Sequence, residues 1–174
     1  SRFLTVRAFE QVRQSVALPK ANVKLIGSSY GFSDFGDGAT HQALEDVAVM
    51  RVLPNMTVLV PMDTGEVEEA VELALEINGP VYIRISRSPM EDIPKELPGS
   101  NLLEPALVAD GRDLVVFANG LMTKTALEAR GVLAGEGISL RVVNVTCVKP
   151  LAKESIQRWA ADVQGVITIE EHSV

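Results

Sequence analysis

Apolar positions along this chain recur in two rhythms. In "FLTVRAFEQVRQSVAL", Leu4, Ala8, Val12 and Val16 fall near helical spacing, with Arg7, Gln11 and Gln14 on other sides; this predicts a helix over residues 3–17. "PKA" ends it, and "NVKLIGS" follows as a short strand. A glycine-rich loop intervenes. "HQALEDVAVMRVL" then reads as a second helix, stopped by "PNM". "TVLVP" is a buried strand, "TGEVEEAVELALEIN" a third helix and "GPVYIRIS" another strand. Thr64 is the expected N-cap of that third helix, with Glu66 and Glu68 favourably placed at the positive end of its dipole.

Residues 88–104 are rich in proline and charge and keep no period, as a linker does. The alternation then resumes: "DLVVFAN" as strand, "TKTALEARGVLAGEG" as helix, "SLRVVNV" as strand, "AKESIQRWAADV" as helix and "GVITIE" as strand. Apolar strands alternating with helices imply βαβ units. The expected architecture is two α/β domains with mostly parallel sheets, at residues 1–90 and 104–174, joined by a linker at 91–103.

Bulk composition narrows the function classes. The 174 residues suffice for one large or two small domains with buried cores. Apolar residues make up 47% and charged residues 22%, the balance of an ordinary globular protein. A net charge of −7 argues against a nucleic-acid surface, and an anionic substrate would need a local basic patch. No apolar run is long enough to span a bilayer, so no membrane partner is expected. Cys147 is the only cysteine, which excludes an internal disulfide and suits a reducing cytoplasm, the expected location. Its lack of activating neighbours argues for a buried structural thiol. Opening on Ser1 and stopping on "IEEHSV" just after a strand, the chain reads as a section of a longer polypeptide. No G-x-G-x-x-G, Walker-type lysine or cluster with metal-ligand spacing occurs.

The candidate chemistry lies in "YGFSDFGDGATHQALED", which begins at residue 30. It follows a strand, and in open α/β sheets ligands bind beyond the carboxyl ends of strands. Gly31, Gly36 and Gly38 would let the backbone approach a ligand. His41 is expected in the first turn of the next helix, facing the same cavity as Asp37. A carboxylate and an imidazole so placed could bind hydroxyls or move protons. From spacing alone, an Asp–Gly turn before a helix is usually just a turn, and a lone histidine is usually structural.

"DGATHQALEDVAVMRVLPNMTVLVP", followed by "GPVYIRISR", resembles the pyrimidine-binding domain of transketolases, and "RAFEQVRQSVALPKANVKL" fits the C-terminal section of the split bacterial enzymes. "DLVVFANG", "ALEARGVLAGEGISLRVVNVTCVKPLAKESI" and "VITIEEH" resemble the C-terminal domain of the same enzymes. The resemblance covers nearly the whole chain in order. It implies transfer of a two-carbon ketol unit from a ketose phosphate to an aldose phosphate, as in the pentose phosphate pathway, with thiamine diphosphate as cofactor. It implies that Asp37 binds a sugar hydroxyl, that His41 holds substrate and shuttles protons, and that Arg87 of "IRxSR" grips the substrate phosphate. It places Phe3 where the family stacks an aromatic on the cofactor's pyrimidine ring.

Two positions depart from the family pattern. Ser29 stands where transketolases carry a substrate-binding histidine, and Gly36 stands where they carry a glutamate, which puts the substrate preference in doubt. The resemblance also implies that the activating glutamate, the diphosphate site and its Mg²⁺ or Ca²⁺ belong to a partner, the transketolase N-terminal section. The chain would then work as a homodimer or heteromer and be inactive alone. Other readings are a section like 1-deoxyxylulose-5-phosphate synthase or a 2-oxo-acid dehydrogenase β-subunit, or a non-catalytic assembly subunit. Trp159 and Met50, Met56 and Met62 fit packing; His172 has no role derivable from the sequence.

Overall fold

The computed structural model describes residues 1–33, 35–99 and 101–173; Asp34 of the loop, Ser100 of the expected linker and Val174 lie outside them. A helical run opens the chain. It consists of Phe3–Arg7 and Arg13–Ala17, with π-type i→i+5 hydrogen bonds such as Ala8 N–H to the Phe3 carbonyl (3.1 Å), around a short α1, Phe9–Val12. Leu4, Ala8, Val12 and Val16 face the core, as their spacing predicts.

Strands β1 (Lys24–Ser28), β2 (Thr57–Leu59) and β3 (Val81–Ile85) and the later β7 (Cys147–Lys149) form one sheet in the order β1-β3-β2-β7. The first three run parallel. Their connections carry α2 (Asp46–Val52) and α3 (Thr64–Glu76). β3 lies between two neighbours, which is why "VYIRI" is buried almost throughout and does not alternate. The second sheet has the order β4-β6-β5-β8, from β4 (Ala106–Ala109), β5 (Leu114–Ala118), β6 (Leu140–Asn144) and β8 (Gly165–Ile169). It carries α4 (Met122–Gly135) and α5 (Lys153–Ala160) in its connections. β5 runs parallel to β6 and β8, whereas β4 runs antiparallel to β6.

The expected α/β architecture of two mostly parallel sheets is therefore present, and three local features differ. The second helix starts at Asp46 rather than at His41. The Ala43 carbonyl, which a helix would offer to residue 47, instead accepts from Gly31 N–H (2.9 Å). Asp63, not Thr64, caps α3, its carboxylate accepting from Glu66 N–H at 2.7 Å. β7, in sequence far from the first sheet, pairs antiparallel with β2 and stitches the two halves together. The stretch expected as a linker makes contacts along its length. Leu97 bridges to Leu107, Ile93 packs against the second core cluster, and Lys95 pairs with buried Glu66 at 3.0 Å.

One core cluster runs through both sheets. Val58, Val60 and Tyr82 belong to it together with Val115, Phe117, Val143 and Val148, and Trp159 packs on its margin. Met50, Met56 and Met62 are all buried packing residues. Cys147 is buried, and desolvation pushes its thiol up to about 11, which fits an inert structural residue. No helix among the described residues is long and apolar enough to cross a membrane.

Candidate active site

The candidate residues gather at one end of the first sheet. β1 and β3 are parallel neighbours whose last paired residues are Ser28 and Ile85. Ser29 leaves β1 at this end, in the left-handed region with φ +58, and Arg87 leaves β3 beside it. The loop between β1 and α2 meets the β3 exit, where Arg87 N–H donates to the Ser33 hydroxyl at 3.4 Å. It is closed at its base by the Gly31–Ala43 hydrogen bond and contains a 3₁₀ turn, Gly38–Thr40. Asp37 sits at the N-terminal end of that turn and His41 at its C-terminal end. Gly38, with φ +64, supplies a conformation that a side chain would strain. Gly36 is exposed, with open space where a side chain would be.

Four of the five candidates pair off. The Asp37 carboxylate lies 3.9 Å from the Arg87 guanidinium, with both side chains more than half exposed. The Phe3 and His41 rings meet edge to face, with centroids 4.9 Å apart. His41 Nδ1 contacts the Thr40 hydroxyl at 2.9 Å, so Nε2 is the nitrogen left to reach a ligand. Phe3 keeps 43% exposure while the Arg7 guanidinium covers its ring at 4.4 Å. The helical run brings Phe3 to His41 because Arg2 bonds the Glu45 carboxylate at 2.5 Å and reaches the Gln42 carbonyl. Ser29, just past the end of β1, belongs to neither pair.

The cavities with described linings do not include Asp37 or His41. One cavity of about 250 Å³ lies elsewhere, lined by residues including Arg51, Phe117, Leu151, Ile156 and Thr168. The candidate residues instead form an open, partly aromatic face, and Phe32 and Phe35 on the same loop are also exposed. His41 lies outside the following helix, because the Gln42, Ala43 and Leu44 carbonyls accept from Arg2, Gly31 N–H and Ser173 N–H instead of from a helix. No group of three or more His, Cys, Asp or Glu positioned to hold a metal occurs among the described residues.

Beneath this face lies a buried charge cluster that the motifs of the sequence did not single out. Arg84, 1% exposed, donates from Nε to Asp46 Oδ2 at 2.9 Å, and Asp46 is 0% exposed. The same oxygen accepts from the Tyr82 and Ser1 hydroxyls, each at 2.8 Å. The guanidinium also stacks on the Tyr30 ring at 3.8 Å and bonds the carbonyls of Ala43 and Glu171. Desolvation and the Asp46 charge hold the Tyr82 phenol well above its usual range, so it remains a donor. The available signal was a charge inside an otherwise apolar central strand, which demands a buried partner.

Residues 1–91 match the family described as "Transketolase, pyrimidine binding domain", and residues 105–174 match "Transketolase, C-terminal domain". A 6-deoxy-6-sulfo-D-fructose transketolase subunit of Clostridium sp. (strain MSTE9) is 40% identical over 172 residues, covering 99% of this chain and 53% of that protein. An apulose-4-phosphate transketolase subunit of Phocaeicola vulgatus is 34% identical, over 98% of this chain and 55% of the relative. Among solved structures, a split-gene transketolase described as an inactive β4 tetramer superposes with a TM-score of 0.88 at 41% identity. It covers 99% of this chain and 55% of the other. The chain thus spans about half the length of these relatives. With both domain families matched in order and the fold shared, this chain belongs to the transketolase family, as a pyrimidine-binding domain followed by transketolase C-terminal domain sequence.

Proposed function

We propose that this chain is the C-terminal section of a transketolase-type enzyme that moves a two-carbon ketol unit between phosphorylated or similarly anionic sugars. The observation that carries the reading is the pairing of Phe3 with His41 beside the Asp37–Arg87 pair, on an open face at the carboxyl ends of β1 and β3. An open face suits a site completed by a second surface, here an N-terminal section; relatives named as transketolase subunits support this. Each residue has a task that its chemistry allows. The Arg87 fork can bind phosphate or sulfonate oxygens bidentately. The exposed Asp37–Arg87 pair is worth little by itself, so an incoming anion can displace it and leave Asp37 to accept from a sugar hydroxyl. His41, its Nδ1 engaged by Thr40, would carry protons at Nε2.

Thiamine diphosphate would supply the electron sink for cleaving the carbon–carbon bond. The exposed Phe3 ring fits its pyrimidine half as a stacking surface. The diphosphate end and a Mg²⁺ or Ca²⁺ are assigned to the partner section. Ser29, in place of a histidine, leaves less positive charge at the anion end. That fits a substrate other than the common pentose and heptose phosphates, and the two relatives are named for a sulfosugar and for apulose 4-phosphate.

In the reconstituted two-section enzyme, Arg87→Ala is expected to raise KM for a ketose phosphate by about tenfold or more. It should leave kcat nearly unchanged and non-phosphorylated ketoses unaffected, because anion binding common to ground and transition states is lost. Equal losses on charged and uncharged donors would remove Arg87 from the anion site. The competing reading, a non-catalytic assembly subunit, draws on Ser29 and Gly36; it requires that neither Arg87 nor His41 affect turnover.

A further inference from the structure

The segment after β8 crosses from the second sheet to the candidate loop of the first. The Glu171 side chain accepts from Phe32 N–H, and its backbone carbonyl accepts from Arg84 Nη2 at 2.9 Å. Ser173 N–H donates to the Leu44 carbonyl at 2.7 Å, and Ala48 N–H points to His172 Nε2 at 3.3 Å. The contacts bracket the loop: Phe32 lies at its start, Leu44 at its end and Ala48 in α2 just beyond. Gly31, with φ +57, makes the close approach possible, since a Cβ there would overlap the Glu171 carboxyl group. Arg84 fixes the same loop from below through Tyr30 and Ala43. With one 3₁₀ turn as the only regular structure among its described residues, the loop depends on these outside contacts.

We infer that Glu171, with the strap it belongs to, is a positioning residue that holds the loop of Asp37 and His41 in its ligand-binding conformation. The second half of the chain thereby contributes to a site whose candidate residues all come from the first. The role in catalysis rests on the function proposed above; the role in holding the loop does not.

The test uses Glu171→Ala and Glu171→Gln, read in two ways. Hydrogen exchange on the 174-residue chain should show peptides spanning residues 31–44 exchanging roughly tenfold faster in Glu171→Ala, with those of β3 and β5 unchanged. In the reconstituted enzyme KM for a ketose phosphate should rise roughly three- to tenfold, with a smaller change in kcat. Glu171→Gln keeps an oxygen that can accept from Phe32 N–H and should restore both. Unchanged loop exchange, or faster exchange throughout the chain, would overturn the inference. A loosened loop with wild-type KM would overturn the catalytic part, provided Arg87→Ala has its expected effect. If Arg87→Ala is also silent, the proposed function fails, and the exchange data alone decide whether Glu171 holds the loop.

Discussion

In the reconstituted two-section enzyme, His41→Ala lowers kcat/KM for a ketose donor by about 10²–10⁴, the range for losing a positioned proton-transfer group. The expectation follows from what surrounds the ring. His41 is held by the Phe3 ring and the Thr40 hydroxyl, at the C-terminal end of a 3₁₀ turn. Its partners orient it and contribute little burial, so the alanine variant should fold with wild-type circular dichroism and melting temperature. His41→Gln can keep a hydrogen bond to substrate but cannot shuttle a proton, and should recover only part of the loss. Single-turnover rates equal to wild type would mean that the glycines, Asp37 and His41 only turn the chain toward α2.

The second large effect is on stability. Asp46→Ala should destabilise the chain by about 3–5 kcal/mol, because it strands the Arg84 guanidinium, 1% exposed, without its counter-charge. The Tyr82 and Ser1 hydroxyls lose their acceptor as well. Asp46→Leu combined with Arg84→Met should recover most of that loss, since replacing a buried pair by apolar groups of similar volume is often neutral. Urea unfolding reads both outcomes as shifts in midpoint at constant slope. A loss below about 1 kcal/mol for Asp46→Ala would show that water or rearrangement compensates the charge.

Elements with strong periodicity were legible in the sequence; those set by distant contacts were not. The run over Phe3–Ala17 and the strands β1, β3, β5, β6 and β8 follow from apolar spacing alone. β4 and β7 are runs of four and three residues, too short to carry a period, and each is defined by an antiparallel partner far along the chain. The α3 cap was open to a better reading: Asp63 and Glu66 have capping-box spacing, and Glu66 reaches back to Met62 N–H at 3.0 Å. The start of α2 was misplaced because "HQALED" has good helical propensity, which the Gly31–Ala43 and Arg84–Ala43 bonds override.

The site was half legible. Motif resemblance pointed to Asp37, His41, Arg87 and Phe3, and the fold brings them together in two pairs. Propensity could not show that Arg84, Tyr30 and Glu171 hold the loop from beneath and across, because those contacts join residues more than forty positions apart.

The central claim is that this face is one half of a site, completed by a partner section. Calorimetric titration of thiamine diphosphate with Mg²⁺, paired with a ketol-transfer assay, tests it most directly. Both are run on the 174-residue chain alone and on the chain mixed with a transketolase N-terminal section. The account predicts no saturable binding at micromolar cofactor and no turnover for the chain alone, with both appearing in the mixture. Micromolar binding and ketol transfer by the chain alone, or a stable mixture that binds cofactor yet turns over no sugar, would contradict it.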